Sequence, residues 1–291
     1  MNRRARVVRV ALVLVLASPA AFAEDAPSRP LPELGPFLRD LRERLHTDEY
    51  LLDQYTFIEK HVEKQLDDRG EVKKLTTETY EVYPSAEPGH TYRKLVERDG
   101  KQLDASELEK EDRKHDAKVA KADAAGAQEA RLAELRRKEQ KFLDEVFGMY
   151  EFHMSGREMV DGRPTIVLTY AARADFKPAT RGGKVLKSFA GQVWIDEQDR
   201  QVVRAEGHLV DTVSFGLGVL ARLHKGAVAS FTRRKINDEI WLPSEARFAG
   251  SARLFLFKGI HLDSMSRYTD YKKFSVGTAE EFKPEAKEKT N

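Results

Sequence analysis

The sequence predicts an α+β protein in which one meandering antiparallel β-sheet dominates. Runs rich in β-branched and aromatic residues follow one another at hairpin spacing, separated by polar turn sequences such as Asp99-Gly100 and residues 161–164. Near the start of the chain, apolar residues recur instead at helical spacing. The 291 residues are 41% apolar and 34% charged, which excludes both a disordered chain and a multi-span membrane protein.

Residues 1–23 have the pattern of a cleavable signal peptide. Four arginines precede a short apolar run at 10–16, and residues 21–23, Ala-Phe-Ala, form a small-x-small cleavage site. That run is shorter than the roughly 20 residues that a membrane-spanning helix needs. We therefore expect a periplasmic protein, without a lipid anchor because the chain has no cysteine. Cleavage removes four of the 50 basic residues and leaves 46 against 48 acidic ones, which argues against a nucleic-acid partner.

The remaining chain is predicted to form a single domain over residues 34–276. A leader at 24–33 precedes this domain, and a charged tail at 277–291 follows it. The domain begins with a helix, because five apolar residues form one stripe: Leu34, Phe37, Leu38, Leu41 and Leu45. The predicted strands cover residues 55–58, 76–83, 92–98, 150–159, 165–170, 191–196, 201–210, 226–236, 241–249, 251–258 and 261–274.

A long charged helical insertion is predicted at residues 104–141, where more than half of the side chains are charged. Ser106 and Glu109 have the spacing of a capping box at its start. Apolar residues become frequent only at the end of this segment, so we expect a solvated helix, interrupted near Gly126, whose C-terminal end docks on the core. The alternative is an arm that binds a partner protein.

The sequence predicts no catalytic residue, metal site or cofactor. The eight histidines are dispersed, and the HExxH, Gly-x-Ser-x-Gly, P-loop and dinucleotide-binding motifs are all missing from the sequence. Asp196 and Asp199 bracket a hairpin and are predicted to support its turn, while Trp194 and Trp241 are predicted core residues. A hydrolase assembled from distant strands is the open alternative, and it requires a tight polar cluster around one histidine.

Apolar surface exceeds what the sheet needs for its own packing. Residues 213–220 carry no charge, and residues 254–257 are apolar on both faces of a predicted strand. A sheet with such a surplus can enclose an apolar ligand cavity. The predicted lining residues are Val193, Ile195, Val213, Phe215, Leu217, Val219, Leu220, Phe231, Leu254 and Leu256.

The order of these segments resembles the outer-membrane lipoprotein carrier superfamily (LolA/LolB-like). After the first helix come Asp53-Gln-Tyr-Thr-Phe57, then Gly191-Gln-Val-Trp-Ile-Asp196 with Val202-Val-Arg-Ala-Glu206. The late pair Ile240-Trp-Leu-Pro243 and Tyr268-Thr-Asp-Tyr271 completes the resemblance, which covers residues 34–100 and 148–274. The insertion at 104–141 is not part of the basic family pattern.

The resemblance implies a half-open, strongly curved antiparallel β-barrel with helices over its open side. It implies a periplasmic, non-enzymatic carrier whose apolar cavity holds the acyl chains of a lipid or lipoprotein, with transient membrane contact. A cavity-gating arginine of the family is not assigned to Arg93, although Arg93 lies in a comparable early strand. The alternative is an envelope interaction or regulatory module that uses the 104–141 helix as its contact.

Overall fold

A computed structural model describes residues 29–47, 52–84, 91–123, 128–215, 221–254 and 258–273. The predicted signal peptide, half of the predicted leader and the predicted tail lie outside these residues, as do Leu217, Val219, Leu220 and Leu256 of the predicted cavity. Within the described ranges, no helix is long and apolar enough to cross a membrane.

One antiparallel sheet of thirteen strands forms the body of the described protein. The sheet is curved. It is not closed into a barrel, because the strand order β4-β3-β2-β1-β13-β12-β11-β8-β7-β6-β5 leaves β4 and β5 as its two edges. The short hairpin β9–β10 pairs with the end of β12. The strands are β1 Tyr55–Leu66, β2 Val72–Pro84, β3 Thr91–Arg98, β4 Lys101–Gln102, β5 Tyr150–Val160, β6 Arg163–Ala172, β7 Phe189–Asp196, β8 Val202–Leu209, β9 Val213–Phe215, β10 Ala221–Leu223, β11 Val228–Ile236, β12 Ile240–Leu254 and β13 Lys258–Lys273.

Four α-helices accompany the sheet in the described part of the chain. They are α1 Leu34–Arg44, α2 Ala105–Asp123, α3 Gln128–Met149 and α4 Arg181–Leu186, and a 3-10 turn spans Leu52–Gln54. The capping box predicted at Ser106 and Glu109 is wrong by two residues. The Glu107 backbone N–H donates to Asp104 Oδ1 at 2.9 Å, and the Asp104 N–H donates to Glu107 Oε2 at 3.2 Å, so Asp104 caps α2.

The predicted turn at Asp99-Gly100 is confirmed. Both residues have positive φ, 49° and 78°, and they join β3 to β4 in the type of turn that suits a twisted hairpin. Two other boundaries differ from the prediction. Residues 213–215, which lie outside the predicted strands, form strand β9, and the two strands predicted on either side of Gly250 are the single strand β12. Gly250 permits a close approach instead of a break, because an added Cβ would lie 2.5 Å from the Ala227 Cβ.

The main core forms where α1 packs on the sheet. Phe37 and Leu41, which belong to the predicted stripe, are 2% and 3% exposed. They contact a row of fully buried aliphatic residues on β6 and β7, which includes Ile166, Leu168 and Ile195. The amphipathic stripe of α1 is therefore used to cover one end of the sheet.

Candidate functional site

The register of the strands builds an apolar wall on one face of the sheet. Leu168 on β6 lies opposite Val193 on β7, Val193 lies opposite Ala205 on β8, and Ala205 lies opposite Phe231 on β11. Directly paired residues project to the same side of a sheet, so these four side chains form one row. We call the face that carries this row the inner face, and the opposite one the outer face.

Two helices cover the part of the inner face formed by β6, β7, β8 and β11, and they leave a pocket of about 290 Å³ beneath them. The wall of the pocket comes from α1, from the C-terminal half of α3, and from strands of the sheet. Its residues are Leu41, Leu45, His46, Thr47, Phe142, Leu143, Val146, Phe147, Tyr150, Phe152, Tyr170, Leu186, Val193, Ile195, Val202, Ala205, Phe231 and Arg233.

The structure brings together three of the predicted lining residues, Val193, Ile195 and Phe231. Val213 lies elsewhere, because it is buried in a separate cluster with Leu209 and Ala227. Phe215 and Leu254 belong to β9 and β12, but their side chains are outside the described residues. The role of these side chains in ligand binding stays a prediction.

The sequence prediction of the pocket missed the contribution of α3. Phe142, Leu143, Val146 and Phe147 are spaced as one helical face, which was the signal for docking on the core. The sequence does not reveal that this docking leaves a gap. Strands β7 and β8 contribute Val193, Ile195, Val202 and Ala205 to the wall of this gap.

Polar contacts fasten the two covering helices to each other beside the pocket. Glu139 on α3 accepts hydrogen bonds from the Thr47 backbone N–H at 2.7 Å and from the Thr47 hydroxyl at 3.0 Å. Arg42 on α1 pairs with Asp144 on α3 at 2.6 Å. These contacts join the end of α1 to the middle of α3 and so fix the width of the pocket.

A buried carboxylate fixes the far side of α3. Glu145 accepts hydrogen bonds from the Thr180 N–H at 3.0 Å, from the Thr180 hydroxyl and from the Ala179 N–H. Burial by itself would raise the pKa of Glu145, but the hydrogen bonds from Thr180 and Ala179 outweigh it and lower that pKa. Glu145 thereby attaches α3 to the start of α4, whose Leu186 lines the pocket.

A second, polar pocket of about 520 Å³ lies on β1, β2, β3 and β13. Arg93 binds Glu59 through two hydrogen bonds of 2.7 and 2.9 Å, and the Ser266 hydroxyl donates to Glu59 at 3.2 Å. His61 Nδ1 lies 2.9 Å from the Ser266 oxygen. Because the one hydroxyl proton goes to Glu59, His61 Nδ1 is the donor in this contact.

This cluster is of the kind that the hydrolase alternative requires, a tight polar group around one histidine. Its proton arrangement differs from that of a serine nucleophile, which donates to a histidine base, because the Ser266 hydroxyl donates to Glu59. Asp196 and Asp199 also have structural roles, since Asp196 accepts from the Gln198 N–H at 3.0 Å and from Arg163 at 2.6 Å. Over the described ranges, no group of three or more His, Asp or Glu side chains could hold a metal ion.

The two tryptophans predicted for the core are 5% and 6% exposed. The Trp194 indole N–H donates to Glu158 and the Trp241 indole N–H donates to Asp199, each at 2.8 Å. Both rings are therefore buried with their polar atom satisfied, as expected of core tryptophans.

The fold and the pocket together define a class of protein: an open antiparallel sheet whose inner face and covering helices enclose a small apolar pocket. No protein-family model matches the chain, and no curated protein sequence matches it. Among solved structures, the chain is similar to a LolA superfamily protein from Nitrosomonas europaea, with a TM-score of 0.32 and 11% identity over 84% of this chain and 96% of that one.

Two further solved structures are similar to this chain. A domain described as an outer membrane lipoprotein-sorting protein from Vibrio parahaemolyticus has a TM-score of 0.31 and 9% identity, over 84% of this chain and 94% of that one. The Pseudomonas aeruginosa MucA/MucB complex has a TM-score of 0.23 and 11% identity, over 84% and 95%. The low scores leave the function to be argued from the site.

Proposed function

We propose that the protein is a carrier-like protein of the cell envelope that holds an acyl chain of a lipid or lipoprotein in the pocket under α1 and α3. The observation that supports this proposal is the lining. All the lining residues except His46, Thr47 and Arg233 are apolar or aromatic. Such a surface contributes to binding by excluding water and needs no particular polar contact.

The size of the pocket favours a single chain. An apolar cavity of about 150 Å³ holds a benzene molecule, so one of 290 Å³ accommodates about twelve carbon atoms. At about 0.8 kcal/mol for each buried methylene, twelve carbons contribute about 10 kcal/mol before the costs of ordering and association are subtracted. We therefore expect micromolar binding of one medium-length chain.

The proposal includes the finer features of the fold and its location. The curved sheet acts as a half-open barrel, with the charged helical segment 104–141 over its mouth, and the protein works in the periplasm after loss of residues 1–23. It contacts the membrane only transiently and catalyses no reaction. The location follows from the signal-peptide pattern and the other features are what the resemblance implies; the open sheet order and the covering helices are consistent with a half-open barrel.

A second candidate function is an interaction module that uses α2. Asp112 holds α2 on β3 by accepting from Tyr92 at 3.0 Å and from Lys94 at 2.9 Å. Glu109 and Arg113, which pair with each other, remain exposed on the other side of this helix. A fixed helix with a free charged face favours contact with a partner protein of the envelope.

Ligand binding is tested on residues 24–291 by native mass spectrometry and by titration with dodecanoic acid. The test variant Ala205→Phe places a ring inside the pocket, and its matched control Val228→Phe places one on the outer face, where Val228 is 49% exposed. We expect bound acyl species in the wild type, at least tenfold weaker binding in Ala205→Phe, and unchanged binding in the control. Thermal unfolding of both variants verifies that each is folded.

Two outcomes would contradict the proposal. One is a wild-type protein that carries no lipid and binds neither dodecanoic acid nor an added lipoprotein. The other is a folded Ala205→Phe variant that binds dodecanoic acid as well as the control does. If acyl binding fails and deletion of residues 106–138 abolishes capture of an envelope protein, the second candidate function is favoured.

A further inference from the structure

Two arginines face each other on the outer face of the sheet. Arg222 on β10 lies directly opposite Arg253 on β12. In a directly opposed antiparallel pair the Cβ atoms are about 5 Å apart, so the two side chains are neighbours. We call these two residues the arginine pair.

The arginine pair lies on the opposite side of the sheet from the acyl pocket. Ala246 on β12 pairs with Phe231 and shares the inner face with it. Arg253 is an odd number of residues further along the same strand, with no irregularity in its pairing to β13, so it projects to the outer face. A ligand of the arginine pair is therefore a ligand of a separate site.

The residues beside the arginine pair leave room for a ligand. On one side Ser214, which is exposed, lies opposite Arg222. On the other side Gly259 lies opposite Arg253, and an added Cβ at Gly259 would meet nothing within 4 Å. Across β9, β10, β12 and β13, four paired residues therefore lie side by side: Ser214, Arg222, Arg253 and Gly259.

No anionic group of the described part of the chain neutralises this pair. The Nε atoms of Arg222 and Arg253 are both buried and have no hydrogen-bond partner. Like charges directly opposite each other destabilise a sheet. By contrast, Arg93 is bound by Glu59 and Arg163 by Asp196. The arginine pair costs stability in the isolated protein, and a bound anion would offset that cost.

We propose that the arginine pair binds the phosphate group of an anionic phospholipid and so brings the protein into transient contact with a membrane surface. Guanidinium groups bind phosphate oxygens through paired hydrogen bonds, and Ser214 supplies a further donor. The sequence favours a lipid over free phosphate. In the sequence, Arg222 comes shortly after the apolar run Gly-Leu-Gly-Val-Leu at 216–220, and Arg253 comes shortly before Phe-Leu-Phe at 255–257. Basic residues next to such apolar runs in a sequence are typical of membrane-surface binding.

The experiment measures co-sedimentation of residues 24–291 with vesicles of phosphatidylcholine containing phosphatidylglycerol, and with vesicles of phosphatidylcholine alone. The variants are Arg222→Gln, Arg253→Gln and the double variant. The matched control is Arg247→Gln, which removes an exposed charge from the same face of β12, where Arg247 lies between Ser230 and Met265.

We expect binding to the anionic vesicles that weakens about fivefold for each single variant and about thirtyfold for the double variant. The control should stay within twofold of the wild type. Dodecanoic acid binding should be unchanged in every variant, which separates this site from the proposed acyl pocket. Melting temperatures should be unchanged or higher, because each substitution removes a like-charge contact.

Three results would overturn the proposal. One is a double variant that sediments with anionic vesicles as the wild type does. Another is tight binding of inorganic phosphate, measured by calorimetry, by a protein that does not bind vesicles, since the pair would then serve a free phosphate. The third is a large fall in the melting temperature of the single variants, which would assign the arginines a structural role.

Discussion

The contact between Glu145 and the start of α4 allows a sharp test of how the pocket wall is held. Glu145→Ala removes a carboxylate that accepts from the Ala179 N–H, the Thr180 N–H and the Thr180 hydroxyl. Each buried donor left without an acceptor costs about 1–3 kcal/mol. Ala179 is exposed, so water partly replaces the lost acceptor there, and we expect the free energy of unfolding to fall by about 2–4 kcal/mol in total.

The neighbouring residue supplies the control. Asp144 is a carboxylate on the same turn of α3, but its ion pair with Arg42 is exposed. Exposed pairs contribute about 0–1 kcal/mol, so Asp144→Ala should lower the free energy of unfolding by less than 1 kcal/mol. Urea denaturation of the two variants and the wild type measures both values. Equal losses in the two variants would refute the reasoning.

The pH dependence of the Glu145 effect has a definite sign. The pKa of Glu145 is lower in the folded protein than its ordinary value, so the carboxylate stabilises the fold above that ordinary value, about 4.3. The stabilisation is lost as the pH falls through the lower folded pKa. The difference in unfolding free energy between the wild type and Glu145→Ala should therefore be full at neutral pH and shrink below about pH 4.

Three further predictions concern the core, the strand contacts and the tyrosines. Phe37→Ala should lower the free energy of unfolding by about 3–5 kcal/mol in urea denaturation, while the exposed Leu31→Ala should change it by less than about 0.5 kcal/mol. Gly191→Ala should have a clearly lower melting temperature than the wild type, because the added methyl group would overlap the Glu206 carbonyl oxygen. Gly156→Ala is the control, because the space around Gly156 is open, and its melting temperature should stay unchanged. Equal melting temperatures in the two variants would contradict this prediction. Burial raises the pKa of Tyr170 to about 12, and burial together with Glu78 raises that of Tyr80 to about 12. The tyrosinate band of the ultraviolet spectrum, which only ionised tyrosines produce, should therefore be nearly the same at about pH 11 in the wild type and in Tyr170→Phe, and a clearly weaker tyrosinate band in the variant would contradict this.

Local sequence signals predicted the elements of this protein better than its pocket. The stripe that includes Phe37 and Leu41 and the turn at Asp99-Gly100 depend on neighbours a few residues away, so the sequence contains all the information that they need. Gly250 misled the prediction because a glycine can mark either a break or a close approach, and Ala227, which decides the matter, is 23 residues distant. Asp104 was missed as the cap of α2 because Ser106 offered an equivalent pattern two residues later.

The pocket was only partly predictable because its wall depends on long-range register. The pairing of Val193 with Ala205 and of Ala205 with Phe231 requires the alignment of three strands, which alternation within one strand does not determine. The contact between His61 and Ser266 in the polar pocket was even harder to predict, because these two residues are 205 positions apart in the sequence. An apolar strand can be recognised in the sequence. The cavity between strand and helix depends on how the side chains of the two elements pack together, which is determined only in the folded chain.

The position of α2 and α3 in the topology explains why a mostly charged segment helps to cover an apolar pocket. These helices connect β4 to β5, and β4 and β5 are the two edges of the open sheet. The segment must therefore pass from one edge to the other, and its helices, about 28 Å and 33 Å long, are suited to such a distance. The last turns of α3 supply the wall of the pocket, and there the sequence has apolar residues such as Phe142 and Phe147. A change in the separation of the two edges would move α3 relative to Val193 and Ala205, and the pocket volume would change with it.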